Sequence, residues 1–401
     1  MIQLADNKKC TGCSACMNIC HHKAISMRPD SEGFLQPIID RTKCVECHMC
    51  EKKCPALNPL NVKNTGQKVY ALINKKDRKV SSSGGAFSLF ARIVLSTGGV
   101  VFGAAFDEKM GVKHIPVFTI KELDKLRGSK YVQSEVGDSF YLVKKYLGEG
   151  RRVLFCGTPC QVAGLYKFLN HKYENLLTTL DLVCHGVPSP LTFEIYLEKL
   201  KKTLPDGEDV KEFRFRKFDS WSSITSIRYS KSKWRKLELE DNAYMNAFYR
   251  GWIYRECCFS CQYANTNRIG TYTIADFWGI GKHGRPFKKD VVSGVSLVID
   301  NVGNMMGFIS PLISDVYIEE RSLDEALYEN HNLKASVKRE KERNTAIQDL
   351  INPNISLIDF ATKYKLLKKL TLESKIKRQI KKLIYALNLY NFYKSISYRL
   401  K

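Results

Sequence analysis

Eight of the fourteen cysteines fall in the first 54 residues, as Cys10-x2-Cys13-x2-Cys16-x3-Cys20 and Cys44-x2-Cys47-x2-Cys50-x3-Cys54, the second run followed at once by Pro55. Two intervening residues let neighbouring thiolates wrap one face of a 4Fe-4S cubane while backbone amides point at its sulfides, and the longer last gap carries the fourth cysteine to the other cluster. On that crossing rule Cys10, Cys13, Cys16 and Cys54 hold one cluster, and Cys20, Cys44, Cys47 and Cys50 hold the other. Zinc competes, since CxxC pairs also bind it, but two complete four-cysteine runs argue against it. Met17 and Met49 read as packing residues, and His48 as solvent-facing rather than a ligand.

Over about residues 1–60 this pattern resembles the bacterial two-cluster ferredoxins, with His21 standing where the first motif often has proline. Such a unit carries electrons but performs no chemistry on an organic substrate, so the rest of the 401 residues must supply that chemistry or a partner. With 44% apolar and 26% charged residues the chain has the composition of ordinary folded protein. Its start, Met1 to Asp6, lacks a basic-then-apolar signal region, and the metal spacing of the cysteines argues against disulfides; both point to a reducing cytosol. The most apolar stretch, Ala86 to Phe106, is broken by Arg92 and Gly98-Gly99, so it does not read as a membrane span.

The formal charge of +23 invites a nucleic-acid reading, but residues 361–401 hold twelve basic residues against one acid, Glu373, so nearly half the excess sits in a tail. From Lys363 to Lys401 apolar residues such as Leu366, Leu370, Ile376, Ile380 and Leu387 recur at three- and four-residue steps among lysines, the pattern of a basic amphipathic helix. Packing on the protein's own core is the plain expectation for that stripe; peripheral attachment to the inner face of an anionic membrane is the functional one. With no DNA- or RNA-binding motif, no nucleic-acid partner is expected.

Beyond the polar linker Asn58 to Gln67, strand-like runs (Val69 to Ile73, Val100 to Phe106, Val112 to Phe118, Val153 to Cys156, Leu177 to Val183, Tyr272 to Ala275, Val295 to Ile299) alternate with helical patterns, and residues 210–240 suggest a small antiparallel patch. The fold class is therefore α+β or α/β: a ferredoxin-like domain at 1–60, a mixed-sheet domain at 68–330, and a basic helical tail at 331–401. Three loops stand out. Ser81-Ser82-Ser83-Gly84-Gly85 opens a helix and suits a phosphate or pyrophosphate, a serine N-cap being the plainer alternative. Cys156-Gly157-Thr158-Pro159-Cys160-Gln161 and Cys184-His185-Gly186-Val187-Pro188 follow strands, and strand ends of an open sheet converge on one crevice. With Cys257-Cys258-x2-Cys261, they give Cys160, Cys184, Cys258 and Cys261 as ligands of a third 4Fe-4S cluster, Cys156 and Cys257 being substitutes. Cys156-x3-Cys160 is not a radical-SAM triad, because position 163 is alanine, and Gly279-Ile280-Gly281-Lys282-His283-Gly284 runs into Arg285-Pro286 rather than a helix.

Taken in order, Ser83-Gly84-Gly85, Gly128-Ser129-Lys130-Tyr131-Val132-Gln133-Ser134, Gly157-Thr158-Pro159-Cys160-Gln161, Cys184-His185-Gly186-Val187-Pro188-Ser189-Pro190, Cys258-x2-Cys261 and Ile274-Ala275-Asp276-Phe277-Trp278-Gly279 resemble the coenzyme F-420 hydrogenase/dehydrogenase beta-subunit family over roughly residues 68–330. The resemblance implies an iron–sulfur flavoprotein that binds FAD and exchanges electrons between clusters and a two-electron partner: a reductase or dehydrogenase served by a soluble electron donor or acceptor protein and acting on an organic substrate or a deazaflavin coenzyme. Members carrying an N-terminal ferredoxin suggest a setting in surface-polysaccharide biosynthesis. Physically, clusters pass single electrons, and a flavin converts these to two-electron steps. Ser82, Ser83, Gly84 and Gly85, with Gly157 and Thr158, are then the candidate flavin or phosphate residues. Lys130, Tyr131, Gln133 and Ser134 are candidates to contact flavin or substrate, Asp276 to position a loop, and His185 to supply a proton. A non-enzymatic electron-transfer subunit is the competing class.

Overall fold

The computed structural model describes residues 2–170, 173, 175–229, 234–238 and 241–367. Each N-terminal cysteine run closes into a short helix, α1 (Ala15–Ile19) and α2 (Met49–Lys52), entered through a left-handed residue at the equivalent position, Ser14 (φ 63°) and His48 (φ 58°). Between them the antiparallel hairpin β1 (Ile25–Pro29) and β2 (Leu35–Ile39) completes the duplicated unit.

The main sheet draws on β3 (Lys68–Asn74), β4 (Val100–Phe106), β5 (Val112–Val117), β6 (Val153–Gly157) and β7 (Leu177–Leu182). Helices α3 (Ala86–Ser96), α4 (Ser139–Gly148), α5 (Pro159–Leu169) and α6 (Pro190–Lys201) alternate with them. After the small antiparallel sheet β8 (Val210–Arg214), β9 (Ser226–Tyr229) and β10 (Arg235–Lys236), and α7 (Ala243–Tyr249), the chain returns as β11 (Tyr272–Asp276), β12 (Ser296–Asp300), α8 (Met305–Ile309) and β13 (Val316–Arg321). The eight strands stand in the order β13-β3-β12-β11-β7-β6-β4-β5. The middle of the sheet, β11-β7-β6-β4, is parallel, and the flanking pairs are antiparallel. The parallel strands are continuous apolar runs because helices cover both faces, as Val153, Leu154 and Phe155 of β6 show by their complete burial.

Local chemistry sets the two turns that matter most. Thr158 caps α5, Pro159 occupies its first position, and Gln161 returns its Oε1 to the Thr158 amide at 3.0 Å, so the chain leaves β6 directly into a helix. Ser189 does the same for α6, accepting the Thr192 amide at 3.1 Å ahead of Pro190.

The last described elements, α9 (Leu323–Glu329), α10 (Arg343–Ile351) and α11 (Leu357–Lys363), are part of the packed body. Ala346, Ile347, Leu350, Leu357, Phe360 and Leu366 join Phe193, Phe213, Phe215, Tyr196 and Tyr244 in one cluster. Residues 361–367 of the basic segment are therefore anchored in the core, and the rest of the expected amphipathic helix, from 368 to 401, lies outside the described residues. The ferredoxin-like unit is seated on the same body. Gly33, at φ +82°, turns so close to α6 that a Cβ there would lie 2.1 Å from Leu191 Cβ, Glu32 pairs with Arg343, and Ser189 Oγ donates to the Glu32 carbonyl at 2.6 Å.

Candidate functional site

Two small cavities of about 20 Å³ lie inside the ferredoxin-like unit. Cys10, Cys13, Cys16 and Cys54 line one; Cys20, Cys44, Cys47 and Cys50 line the other, so the fold brings the eight thiols together in the two crossed sets. Backbone amides already face sulfur: Gly12 N donates to Cys10 Sγ at 3.4 Å and Ala24 N to Cys20 Sγ at 3.3 Å. Burial pushes the Cys13 thiol up to about 12 and those of Cys10 and Cys16 upward as well. Such thiolates need a cationic centre to hold them. Among the described residues no three His, Cys, Asp or Glu close on a single-ion position.

A third cavity, of about 150 Å³, is lined by Cys160 at the start of α5, Cys184 after β7, and Cys257, Cys258 and Cys261. Five thiols from three separate segments thus meet, which fits a third four-thiolate cluster with one sulfur to spare. Cys156 is not among them: it faces the large cavity, one strand turn before Cys160. Arg268, buried beside this cavity and paired with Asp181 at 3.2 Å, donates to the carbonyls of Tyr263 and Leu182 and so shapes the Cys261 and Cys184 loops.

A larger cavity, about 320 Å³, sits at the carboxyl ends of β6, β7 and β11. Its other walls are the Ser81–Ser88 stretch leading into α3 and the Leu126–Ser134 loop. Ser82, Ser83, Gly85, Lys130, Tyr131, Gln133, Ser134, Gly157, Thr158, His185 and Asp276 all line it. Gly84 does not. It is turned onto the sheet, where a Cβ would fall 2.2 Å from the Leu72 carbonyl and 2.4 Å from the Ser296 amide, so its role is close backbone approach rather than ligand contact. Gly85, at φ +88°, opens α3 and offers no capping side chain, and the first helical amide, Ala86 N, donates instead to Ser296 Oγ at 3.4 Å. Ser82 Oγ accepts the Ser129 amide at 3.3 Å and ties the two walls together.

Lys130 is reached from this cavity and otherwise enclosed. Its Nζ donates to the carbonyls of Arg127 (2.8 Å) and Lys125 (3.2 Å), and burial brings its pKa down to about 7. Asp276 is held by the buried Arg216 and by Trp221 Nε1 at 2.8 Å, and Trp221 stacks on Trp278 at 4.8 Å. Asp276 therefore fastens the segment after β8 over the sheet end. Burial lowers the pKa of His185, with Asp276 opposing, and His185 lines both this cavity and the third-cysteine cavity.

His114 on β5 carries no sequence signal and is nonetheless central. Gln161 Nε2 donates to Ser134 Oγ (2.9 Å), Ser134 donates to His114 Nδ1 (2.9 Å), and His114 Nε2 donates to the Cys156 carbonyl (3.0 Å). Stacked on Phe155 and pushed down to about 4 by burial, the ring is neutral, which this donor order requires. Arg255, buried between the first and third cysteine sets, belongs to no motif either.

Two segments of the chain match known protein families. Residues 150–326 match the family described as the C terminus of the coenzyme F420 hydrogenase/dehydrogenase beta subunit, and residues 9–58 match the 4Fe-4S dicluster domain. Among curated proteins nothing matches. A chain of the xenon-derivatised F420-reducing NiFe hydrogenase complex from Methanosarcina barkeri is similar over 79% of this chain and 96% of that one, at 16% identity and a TM-score of 0.44.

Proposed function

We propose that this chain, whose residues 150–326 match the C terminus of the coenzyme F420 hydrogenase/dehydrogenase beta subunit and whose residues 9–58 match the 4Fe-4S dicluster domain, is an iron–sulfur flavoprotein oxidoreductase passing electrons between its cysteine-lined cavities and an FAD in the large cavity. The observation that carries this reading is that the cavities adjoin. Thr11 lines the first ferredoxin cavity, the third-cysteine cavity and the large cavity alike, while Cys160, Cys184 and His185 line the last two. On α5, one turn beyond Cys160, Gly164 comes so close to Cys13 that a Cβ would lie 3.0 Å from its Sγ.

FAD supplies the exchange between one- and two-electron steps. The chain's own residues do the rest. The start of α3 with Ser82, Ser83 and Gly85 receives a diphosphate, and Lys130 neutralises negative charge. Tyr131, Gln133 and Ser134 form the wall, and Gly157 and Thr158 close the turn beneath it. His185, neutral at pH 7 because its pKa is lowered, takes up a proton before it can give one. Cys160, Cys184, Cys258 and Cys261 hold the third cluster.

An organic substrate or a deazaflavin takes up or gives up the electron pair, a soluble carrier protein exchanges single electrons at the ferredoxin-like unit, and a setting in surface-polysaccharide biosynthesis fits the domain pairing. No nucleic acid enters the scheme. No helix among the described residues is long and apolar enough to cross a membrane, and cytoplasmic residence with the tail at the inner membrane face completes the proposal.

Anaerobically purified protein should hold about twelve iron atoms per chain and release, on acid precipitation, a yellow compound with the mass of FAD. Eight iron atoms remove the third cluster. A colourless supernatant from iron-replete protein leaves the second reading, an electron-transfer subunit without its own chemistry, which the family's description as a beta subunit favours.

A further inference from the structure

Arg255 is 1% exposed, and no carboxylate lies within salt-bridge distance of it among the described residues. A guanidinium cannot shed its proton, and a buried, uncompensated charge costs several kcal/mol. Its hydrogen bonds are all to neutral oxygens: Nε to the Cys10 carbonyl (2.7 Å), Nη2 to the Leu35 carbonyl (3.0 Å) and Nη1 to Gln133 Oε1 (3.1 Å). Its own backbone is spliced into the third-cysteine cavity, the amide donating to the Val187 carbonyl at 2.9 Å and the carbonyl accepting from Cys258 N at 2.9 Å. Gln133 completes the bridge by donating to the Thr11 carbonyl at 3.0 Å. The cation therefore lies between the first ferredoxin set and the third cysteine set.

Resting on the electron-route reading above, we propose that Arg255 is the charge that couples the first and third clusters. It is a positioning residue whose counter-ion is the negative charge of the four-thiolate clusters on either side. A 4Fe-4S core held by four thiolates carries about −2 when oxidised and about −3 when reduced, so a fixed buried cation favours the reduced form. Burial alone works in the opposite direction. By raising the potential of the first cluster above what its burial would give, Arg255 lets an electron leave the more exposed cluster, where Cys47 is open to solvent, and settle on the inner one. There the first cluster is reduced and the outer one oxidised, and the next transfer oxidises the first cluster and reduces the third.

The test is an EPR-monitored redox titration of full-length, iron-loaded, anaerobic protein carrying R255M, R255K or Q133E. Removing the charge in R255M should lower the first-cluster potential by about 59 mV, a tenfold shift of its one-electron reduction equilibrium. R255K keeps the charge while losing the fork, and should move that equilibrium less than threefold. Q133E sets a carboxylate against the guanidinium while keeping the oxygen that accepts from it, and should shift it in the direction of R255M; this variant carries the test if R255M fails to retain iron. An unchanged potential in iron-replete R255M or in Q133E overturns the proposal, as do equal shifts in R255K and R255M, which would assign the effect to hydrogen bonding. Because the first-cluster signal needs neither FAD nor the third cluster, a protein with eight iron atoms and no flavin would refute the route while leaving this measurement readable.

Discussion

Replacing Lys130 by methionine removes the one ammonium on the wall of the large cavity while keeping most of its hydrocarbon stem. Two of its three N–H groups are used by the Arg127 and Lys125 carbonyls, leaving the third for a ligand, and burial has brought its pKa from 10.5 to about 7. A charge-assisted hydrogen bond is worth about 1.5–3 kcal/mol, so K130M should weaken flavin binding by roughly 10- to 150-fold at pH 6.5. The sign of the pH dependence follows from the lowered pKa. Below about 7 the free protein already carries the cation, and above it the ligand must first recharge the lysine, so wild-type affinity falls tenfold per pH unit beyond that point until a lysine pKa raised by the ligand is passed. K130M should be flat over the same range. Flavin fluorescence quenching, titrated from pH 6 to 9 on iron-loaded, flavin-stripped protein, reads both effects. Binding by K130M within twofold of wild type, or with the same pH slope, would show that Lys130 makes no charged contact with the flavin.

Changing Cys258 to serine should remove about four iron atoms per chain and leave the ferredoxin spectra in place; iron assay with EPR decides, and no loss would mean that Cys257 is the ligand. In G164V, branched carbons arrive where even a Cβ would sit 3.0 Å from Cys13 Sγ, so overpacking of about 1–3 kcal/mol should broaden or shift the first-cluster EPR signal while the outer cluster keeps its own. Phe155, buried in β6 beneath His114, should cost about 3–5 kcal/mol on truncation to alanine, read as a lower midpoint for thermal loss of visible absorbance. Deleting residues 368–401, which spares the core contact of Leu366, should abolish low-salt flotation with phosphatidylglycerol liposomes; full-length protein that stays in the soluble fraction would end the membrane-anchor reading.

The cysteine pattern was readable because cubane ligation is a local constraint: three thiolates within seven residues define most of a site before any tertiary structure forms. Most strands of the main sheet were readable for a similar reason, as buried parallel strands are unbroken apolar runs. β13 escaped notice because Val316–Arg321 carries charges along an edge, where one side of the ladder meets water. The third-cysteine cavity was only partly legible. Cys156 and Cys160 look equivalent in sequence, but after the β6-to-α5 turn only Cys160 reaches the third-cysteine cavity, while Cys156 lines the large cavity alone, a consequence of backbone direction that spacing cannot encode. Gly84 and Gly85 look alike too, yet one packs on Leu72 and Ser296 and the other opens α3. His114 and Arg255 had no motif at all: their partners are 20 to 245 residues away, and their importance comes from burial without a counter-charge, which only the assembled structure displays.

On the proposed route electrons cross from the ferredoxin-like unit to the large cavity through the thiols around Cys184, which lines both inner cavities. Stopped-flow mixing of anaerobic, FAD-loaded protein with a reduced ferredoxin, following cluster absorbance and flavin bleaching together, tests it most directly. Wild-type protein should show cluster reduction first and flavin bleaching after a lag. C184S, with its ferredoxin iron intact, should reduce those clusters at the normal rate and bleach flavin at least tenfold more slowly. Flavin bleaching at an unchanged rate in C184S, or bleaching that precedes cluster reduction in the wild type, would rule out this route.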